Sequence, residues 1–304
     1  MASIRELKRR IKSVKNISQV TRAMQMVAAS RMRRAQEQAL ASRPYAAKAW
    51  EILTHLASQR GDMQQLHPLL TQRGEIKDIA IILITADKGL AGAYNSNIIR
   101  ATSRFMSEQG RPDAKLITVG RKGRDFMARY GRNVVAEFTD LPARPTTLDI
   151  GPIARLVIDG FLLGEYDEVY LAYTNFINTL RQEPIVDLLL PIHAGGIESK
   201  VMAEHLVAPA ISTGPVDYIY EPDPATLLDT ILPRFTELQV YQAVLEALAS
   251  EHSARMVAMR NATENAKDLI SDLTLTYNKV RQDAITKEML DIAGGAEALT
   301  KASQ

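Results

Sequence analysis

One stripe of residues near the C-terminal end constrains this 304-residue chain more than any other feature. Stepping alternately by three and four from Leu228 passes through Ile231, Phe235, Leu238, Leu245, Met256, Met259, Ile270, Leu273, Tyr277 and Val280 to Ala284. Of the 17 positions on that path, only Gln242, His252 and Thr263 are neither apolar nor aromatic. A seam of about eight heptads is the pattern of a coiled coil. As one helix it would rise about 85 Å at ~1.5 Å per residue, wider than a globular domain of this mass. Asp223-Pro224 supplies an N-cap and first turn, and Pro233 predicts a kink or a start nearby.

The N-terminal segment reads as a second long helix, from about Ser3 to about Leu56. Ser3 with Glu6 forms a capping box. Ile4, Leu7, Ile11, Val14, Ile17, Val20, Met24 and Val27 keep one apolar stripe on one face. No Gly occurs before Gly61, and Pro44 predicts a kink or interruption near Ser42. Residues 61–74, with Pro68, read as the exit loop. Two narrow apolar seams pair most simply with each other, antiparallel.

The texture between them is different. Apolar runs at 76–85, 115–119, 169–174 and 185–190 read as strands, and helical stretches fall near 95–109, 121–130 and 148–164. That alternation implies parallel strands covered by helices. The expected fold class is therefore α/β plus a long helical coiled coil, with a Rossmann-like domain inserted between the arms. The expected boundaries are 1–60 for the N-terminal coiled-coil helix, 75–200 for the α/β domain, 201–222 for a connector and 223–304 for the C-terminal helix.

Composition excludes several chemistries. There is no Cys, hence no disulfide, thiolate metal site or cysteine nucleophile. No stretch of 18 uncharged apolar residues occurs to span a membrane as a helix. The start lacks a secretory apolar core; its Arg-rich, acid-poor character is that of a transit peptide, but the segment belongs to the long periodic helix. The histidines His55, His67, His193, His205 and His252 show no i, i+3 or i+4 metal spacing, and there is no G-x-S-x-G. No cofactor, catalytic residue or metal site is expected. The net charge of +2 hides an asymmetry: residues 1–34 hold ten Lys/Arg against Glu6 alone, or +9, leaving −7 on the other 270. Arg9, Arg10, Arg31, Arg33 and Arg34 belong to this basic arm, which implies an acidic partner.

Four features call for a functional reading beside a plain one. Asp87-Lys88-Gly89-Leu90-Ala91-Gly92 follows a strand, where phosphate loops sit, but it is neither phosphate-loop pattern. A tight turn and close helix packing explain Gly89 and Gly92 as well. Gly120-Arg121-Lys122-Gly123-Arg124 reads as a solvated helix start. His252 reads as a register-setting polar residue on the seam. Arg281 and Gln282 put long hydrogen-bonding side chains where the seam ends, at either a fraying terminus or a contact tip.

Together, Gln19–Ser30 (QVTRAMQMVAAS) with Arg31-Met32-Arg33-Arg34-Ala35, the Asp87–Gly92 turn, and Ile285-Thr286-x-Glu288-x-x-Asp291-x-x-x-Gly295-Ala296 resemble the γ subunit of the rotary ATP synthase, bacterial type. Ala91 stands where many members have Cys, and Lys88 where many have Arg. The resemblance implies a non-catalytic rotor shaft, or central stalk, that transmits rotation between a proton-driven membrane ring of c subunits and a ring of α and β subunits. It implies α, β, ε and the c ring as partners, no nucleic acid, and an indirect, peripheral attachment at the cytoplasmic face of the cell membrane. It implies that Arg281, Gln282 and Thr286 contact a loop of β near the top of the shaft, and that Met24 lies near an acidic loop of β. It also implies an overhanging C-terminal helix, with Leu7 opposite the stretch Ile270–Val280. The competing readings are a nucleic-acid-binding coiled-coil protein, using the basic arm on phosphates, and a nucleotide-dependent α/β enzyme, using the 85–95 turn.

Overall fold

The computed structural model describes residues 3–59, 67–192 and 224–302. Helix α1 spans Ile4–Gln59, and the Ser3 hydroxyl accepts from the Glu6 N–H as an N-cap. The centre holds β1 (Ile79–Ile84), α2 (Tyr94–Glu108), β2 (Lys115–Val119), α3 (Arg121–Arg129), β3 (Val134–Phe138), α4 (Thr147–Leu163), β4 (Glu168–Phe176) and β5 (Gln182–Leu190). Helix α5 then runs for 79 residues, Pro224–Ala302. The connector expected at 201–222 lies outside the described residues, as do His193 and His205. Neither Pro44 nor Pro233 interrupts its helix. Around Pro233 the reason is visible in the burial of Leu232 and Phe235: apolar packing outweighs one lost backbone hydrogen bond.

The chain divides into two compact units. One comprises the residues up to Val27 with those from Met256 onward; the other is Ala28–Arg255. The larger is built on a five-stranded sheet of order β3-β2-β1-β4-β5. Strands β1, β2, β3 and β4 pair in parallel, as the alternating pattern implied, but β5 returns antiparallel to β4. A short turn forces that reversal: Asn178 Oδ1 accepts from the Leu180 and Arg181 N–H groups. Strand β3 is also absent from the sequence reading. It is an edge strand of half-buried and exposed residues in alternation, too polar to form an apolar run.

Strand β1 reads IAIILI and is buried throughout because both faces are covered. Ile79, Ile81 and Leu83 pack with Ile98, Met106, Leu116 and Met127 on one side. Ala80, Ile82 and Ile84 pack on the other with Ile153, Val157 and Phe161 of α4, and with Leu232, Phe235, Val240 and Val244 of α5. The C-terminal helix is thus part of the α/β core as well as a coiled-coil partner. The heptad seam reads one face of α5, whereas most positions from Leu232 to Ser253 are buried. Its other faces carry Val240, Ala243, Val244 and Ala247, which close the sheet layer.

In the smaller unit, α1 and α5 run side by side. The Thr21 and Thr263 hydroxyls meet at 2.7 Å, and both residues are buried. Each hydroxyl also has a carbonyl of its own helix within reach, Ser18 for Thr21 at 3.1 Å and Met259 for Thr263 at 2.7 Å, so either can be the donor of the bond between them. Stepping fourteen residues back along α1 from Thr21 and fourteen forward along α5 from Thr263 places Leu7 opposite Tyr277, inside the expected stretch Ile270–Val280. The seam of α1 needs a correction. Leu7, Ile11, Val14, Ser18, Thr21 and Gln25 form the covered row, continuing through Ala28, Met32 and Ala35. Ile17, Val20 and Val27, assigned above to that row, are 52%, 58% and 52% exposed. Apolarity alone selected the wrong stripe after Val14. The covered row uses small and hydroxyl side chains that admit a neighbouring helix closely and satisfy each other by hydrogen bonding.

Candidate interaction surfaces

Two surfaces of the long helices stand out. The first is on α1. Ile17, Val20 and Val27 are spaced by three and seven residues, so they share a face, and Met24 lies between them, half-buried. This second apolar stripe is uncovered. Arg22 and Lys15 flank it, both exposed. Farther along, Arg9 and Arg10 are exposed, with Arg10 held to Glu6 at 2.6 Å. In the larger unit Arg31, Arg33 and Arg34 are exposed on the same helix. An exposed pair such as Arg10–Glu6 contributes at most about 1 kcal/mol, so it leaves the basic character of the arm in place.

The second surface is the end of α5. From Arg281 to Gly294 every residue is exposed, including Arg281, Gln282 and Thr286. Ile285, Met289, Leu290 and Ile292 are exposed with them. The segment is helical throughout, and a Cβ at Gly294 would meet nothing within 4 Å. A helix with no covered face presents both its polar and its apolar groups to whatever approaches it. Met24 and the Arg281–Thr286 group are on different helices, and no hydrogen bond among the described residues joins them.

The turn after β1 takes a structural shape. Leu90 and Gly92 adopt left-handed backbone with φ of 63° and 56°. The Asp87 carboxylate accepts from the Arg121 and Asp140 N–H groups at 3.0 and 3.1 Å. It occupies the N-terminus of α3, where a phosphate would otherwise sit. Gly120 and Gly123 are there for space. A Cβ at Gly120 would lie 2.1 Å from the Thr85 carbonyl oxygen, and one at Gly123 would lie 2.8 Å from Thr85 Oγ1. At the carboxyl ends of β1 and β2, where open α/β sheets bind ligands, α5 is in the way. Val244, Ala247, Leu248 and Glu251 line a cavity of about 50 Å³ there with Thr85, Asp87 and Tyr94. Ligand pockets run to roughly 300–1,000 Å³, so this space does not admit a nucleotide.

Beside it lies a buried polar cluster that the heptad reading did not isolate. The Glu251 carboxylate meets the Arg255 guanidinium at 2.7 Å, with both side chains about nine-tenths buried. Burial raises the Glu251 pKa, and Arg255 partly opposes the shift. Arg255 also donates to the Gly89 carbonyl at 3.1 Å and the Lys88 carbonyl at 3.4 Å. It reaches His252 Nδ1 at 3.3 Å. Because a guanidinium has no acceptor, that nitrogen is the unprotonated one. Burial first, then the charges of Arg255 and Arg31, pull the His252 pKa down to about 4. One signal was in the sequence: Glu246, Ser250 and Ser253 sit at four- and three-residue spacing, a polar row beside the apolar seam.

Among the described residues no group of His, Asp or Glu is arranged to hold a metal ion, and no helix is long and apolar enough to cross a membrane. The sequence matches the family described as ATP synthase over residues 3–299. It is 50% identical over 300 residues to an ATP synthase gamma chain of Dehalococcoides mccartyi, covering 98% of this chain and all of that one. It is 50% identical over 303 residues to the gamma chain of Roseiflexus castenholzii, covering 99% of this chain and all of the relative. Among solved structures, a chain of the Euglena gracilis mitochondrial ATP synthase, OSCP/F1/c-ring, superimposes with a TM-score of 0.67 at 20% identity, over 99% of this chain and 96% of that one. A chain of the Tetrahymena thermophila mitochondrial ATP synthase, central stalk/c-ring, gives 0.61 at 24% identity, over 80% and 99%. These two share the fold. Half-identity along the whole length, on an α/β sheet set between two long helices, places this chain in the ATP synthase gamma chain family.

Proposed function

We propose that the chain is the rotor subunit of an ATP synthase, carrying rotation between a proton-driven ring of c subunits in the membrane and a catalytic ring of α and β subunits. The observation that carries this reading is full-length correspondence with gamma chains at 50% identity. The surfaces suit the role. Helices α1 and α5 form the shaft, and the α/β domain forms the foot beside ε and the c ring. The chain is non-catalytic, needs no cofactor and binds no nucleic acid; ATP is made or hydrolysed on its partners. It is held peripherally at the cytoplasmic face of the cell membrane through the complex.

A rotor acts by asymmetry. Each β subunit meets a different face of the shaft at any instant, and only a difference in contact energy between its conformations can shift its nucleotide affinity. The exposed α5 tip meets a β loop through Arg281, Gln282 and Thr286; hydrogen bonds to charged groups contribute about 1.5–3 kcal/mol each. The uncovered stripe of α1 meets β at Met24, next to an acidic loop that also faces Arg9, Arg10, Arg31, Arg33 and Arg34.

The test is reconstitution. The chain should co-purify with α and β and support their Mg-ATP hydrolysis, and alone it should hydrolyse none. Turnover by the isolated chain, after rigorous removal of α and β, would refute the non-catalytic reading. Arg281→Ala with Gln282→Ala should weaken assembly or slow turnover while the chain stays folded. Unchanged assembly and rate would remove the tip contact from the account.

A further inference from the structure

The apolar contacts between α5 and the sheet do not by themselves resist twisting. Burial is non-directional, so a helix lying on an apolar layer can turn or slide with little change in buried area. Hydrogen bonds are directional and weaken steeply when misaligned. On α5 they come from two sides of the helix: Glu246, Ser250 and Ser253 lie in one row, and Arg255, nine residues on from Glu246, points about 180° away from it. Glu246 accepts from the Phe176 N–H at 3.4 Å. The Ser250 hydroxyl donates to the Thr174 carbonyl at 3.0 Å. Ser253 donates to the Thr179 carbonyl at 3.1 Å and accepts from Gln182 at 3.3 Å. From the opposite side of the helix Arg255 bonds the β1 turn, at the Gly89 and Lys88 carbonyls. Except for Gln182, every partner is a backbone group at the end of β4, in the following turn or in the turn after β1.

We infer that Arg255, oriented by Glu251 and seconded by Ser250 and Ser253, keys α5 against rotation in the α/β domain and so carries torque between them. These are positioning residues, which act through the helix and touch no nucleotide. The geometry favours this over a purely structural role. Two serines and a buried ion pair add little apolar burial, and a buried ion pair is weak evidence for stability. Arg255 spans two β1-turn carbonyls and Glu251 at once, which a lysine cannot do with a single ammonium. It is also the last residue of the larger compact unit.

The inference rests on the rotor reading with the α/β domain as foot. Load from the membrane ring must then cross the α5–sheet junction, whereas hydrolysis by the α and β ring alone needs only the shaft. The experiment measures ATP hydrolysis and ATP-driven proton uptake together, in the complete complex reconstituted in vesicles. Arg255→Ala should lower proton uptake per ATP hydrolysed by about threefold or more while hydrolysis stays near wild type. Arg255→Lys should fall between. The Ser250→Ala/Ser253→Ala double variant should lower the same ratio by a smaller factor. A loss of stability alone lowers both rates together and leaves the ratio unchanged; that result, in variants that assemble, overturns the key. So does failure of both Arg255→Ala and the serine variant to assemble, which would make these bonds structural only. If the wild-type complex couples hydrolysis to uptake and the variants couple equally well, the key fails and the rotor stands. If the wild-type complex does not couple, the rotor reading itself fails.

Discussion

Two stretches of the same helix behave as opposites. From Leu232 to Ser253, α5 is covered on nearly every side; from Arg281 to Gly294, it is covered on none. Both are helical and both carry large apolar residues: Phe235, Leu238 and Val244 in the first, Ile285, Met289 and Leu290 in the second. Local propensity therefore does not distinguish them. What differs is whether other elements lie against them, and that separates residues that hold the fold from residues left available to a partner.

The largest expected effect tests the covered stretch directly. Phe235 is fully buried in the core formed by α4, α5 and the sheet, and Phe235→Ala should cost about 3–5 kcal/mol. A urea unfolding series reads it. A cost below about 1 kcal/mol would mean that α5 is not part of this core.

His252 gives a pH dependence confined to the covered stretch. Its pKa of about 4 lies below the ordinary value of 6.5. The unfolded chain therefore binds this proton more readily than the folded one. Stability from this group is full above about pH 6.5 and is lost as the pH falls through about 4, to a limit of about 3 kcal/mol. His252→Gln should flatten that part of the stability curve, measured as urea midpoints between pH 7 and 4. An equally steep acid loss in the variant would assign it to other groups.

Between the two stretches α5 is covered on one side, and there the Thr21–Thr263 bond sets the register. Thr21→Val should cost about 1 kcal/mol, the net contribution of one buried hydrogen bond. The register itself is checked by oxidising a Leu7→Cys/Tyr277→Cys variant, a clean test because the chain has no Cys. Bridged Cα atoms lie about 4.4–6.8 Å apart. Cross-linking of Leu7→Cys to Leu299→Cys in place of Tyr277→Cys would overturn the register. The smallest effect belongs to the bare tip. Leu290, 66% exposed, should tolerate Leu290→Ala within about 0.5 kcal/mol. A large loss in the isolated chain would show that the tip is covered in solution.

Much was legible in the residues because it depends on local pattern. Both long helices, the strands β1, β2 and β4 and the three helices between strands follow from periodicity and apolar runs. The heptad path on α5 coincides with buried or half-buried positions from Leu228 to Val280. The errors share a cause. Apolarity was taken as a proxy for contact, so Ile17, Val20 and Val27 were placed on the covered row in preference to Ser18, Thr21 and Ala28. Strand β3 was missed because its exposed edge has no apolar run to betray it. The direction of β5 was missed because a turn at Asn178, rather than strand composition, sets it.

What this sequence determined alone is what a helix or strand can express within a few residues: where elements run, which stripe of α5 is apolar, and where positive charge collects. It also determined membership of a family, through motifs at both ends of the chain. Only the tertiary structure decided which faces are covered. It made one stretch of α5 a core helix, paired Thr21 with Thr263 and turned Arg255 onto the carbonyls of Lys88 and Gly89. Those contacts join residues up to 242 positions apart. Burial and hydrogen bonding depend on what the rest of the chain brings alongside, and no local spacing encodes that.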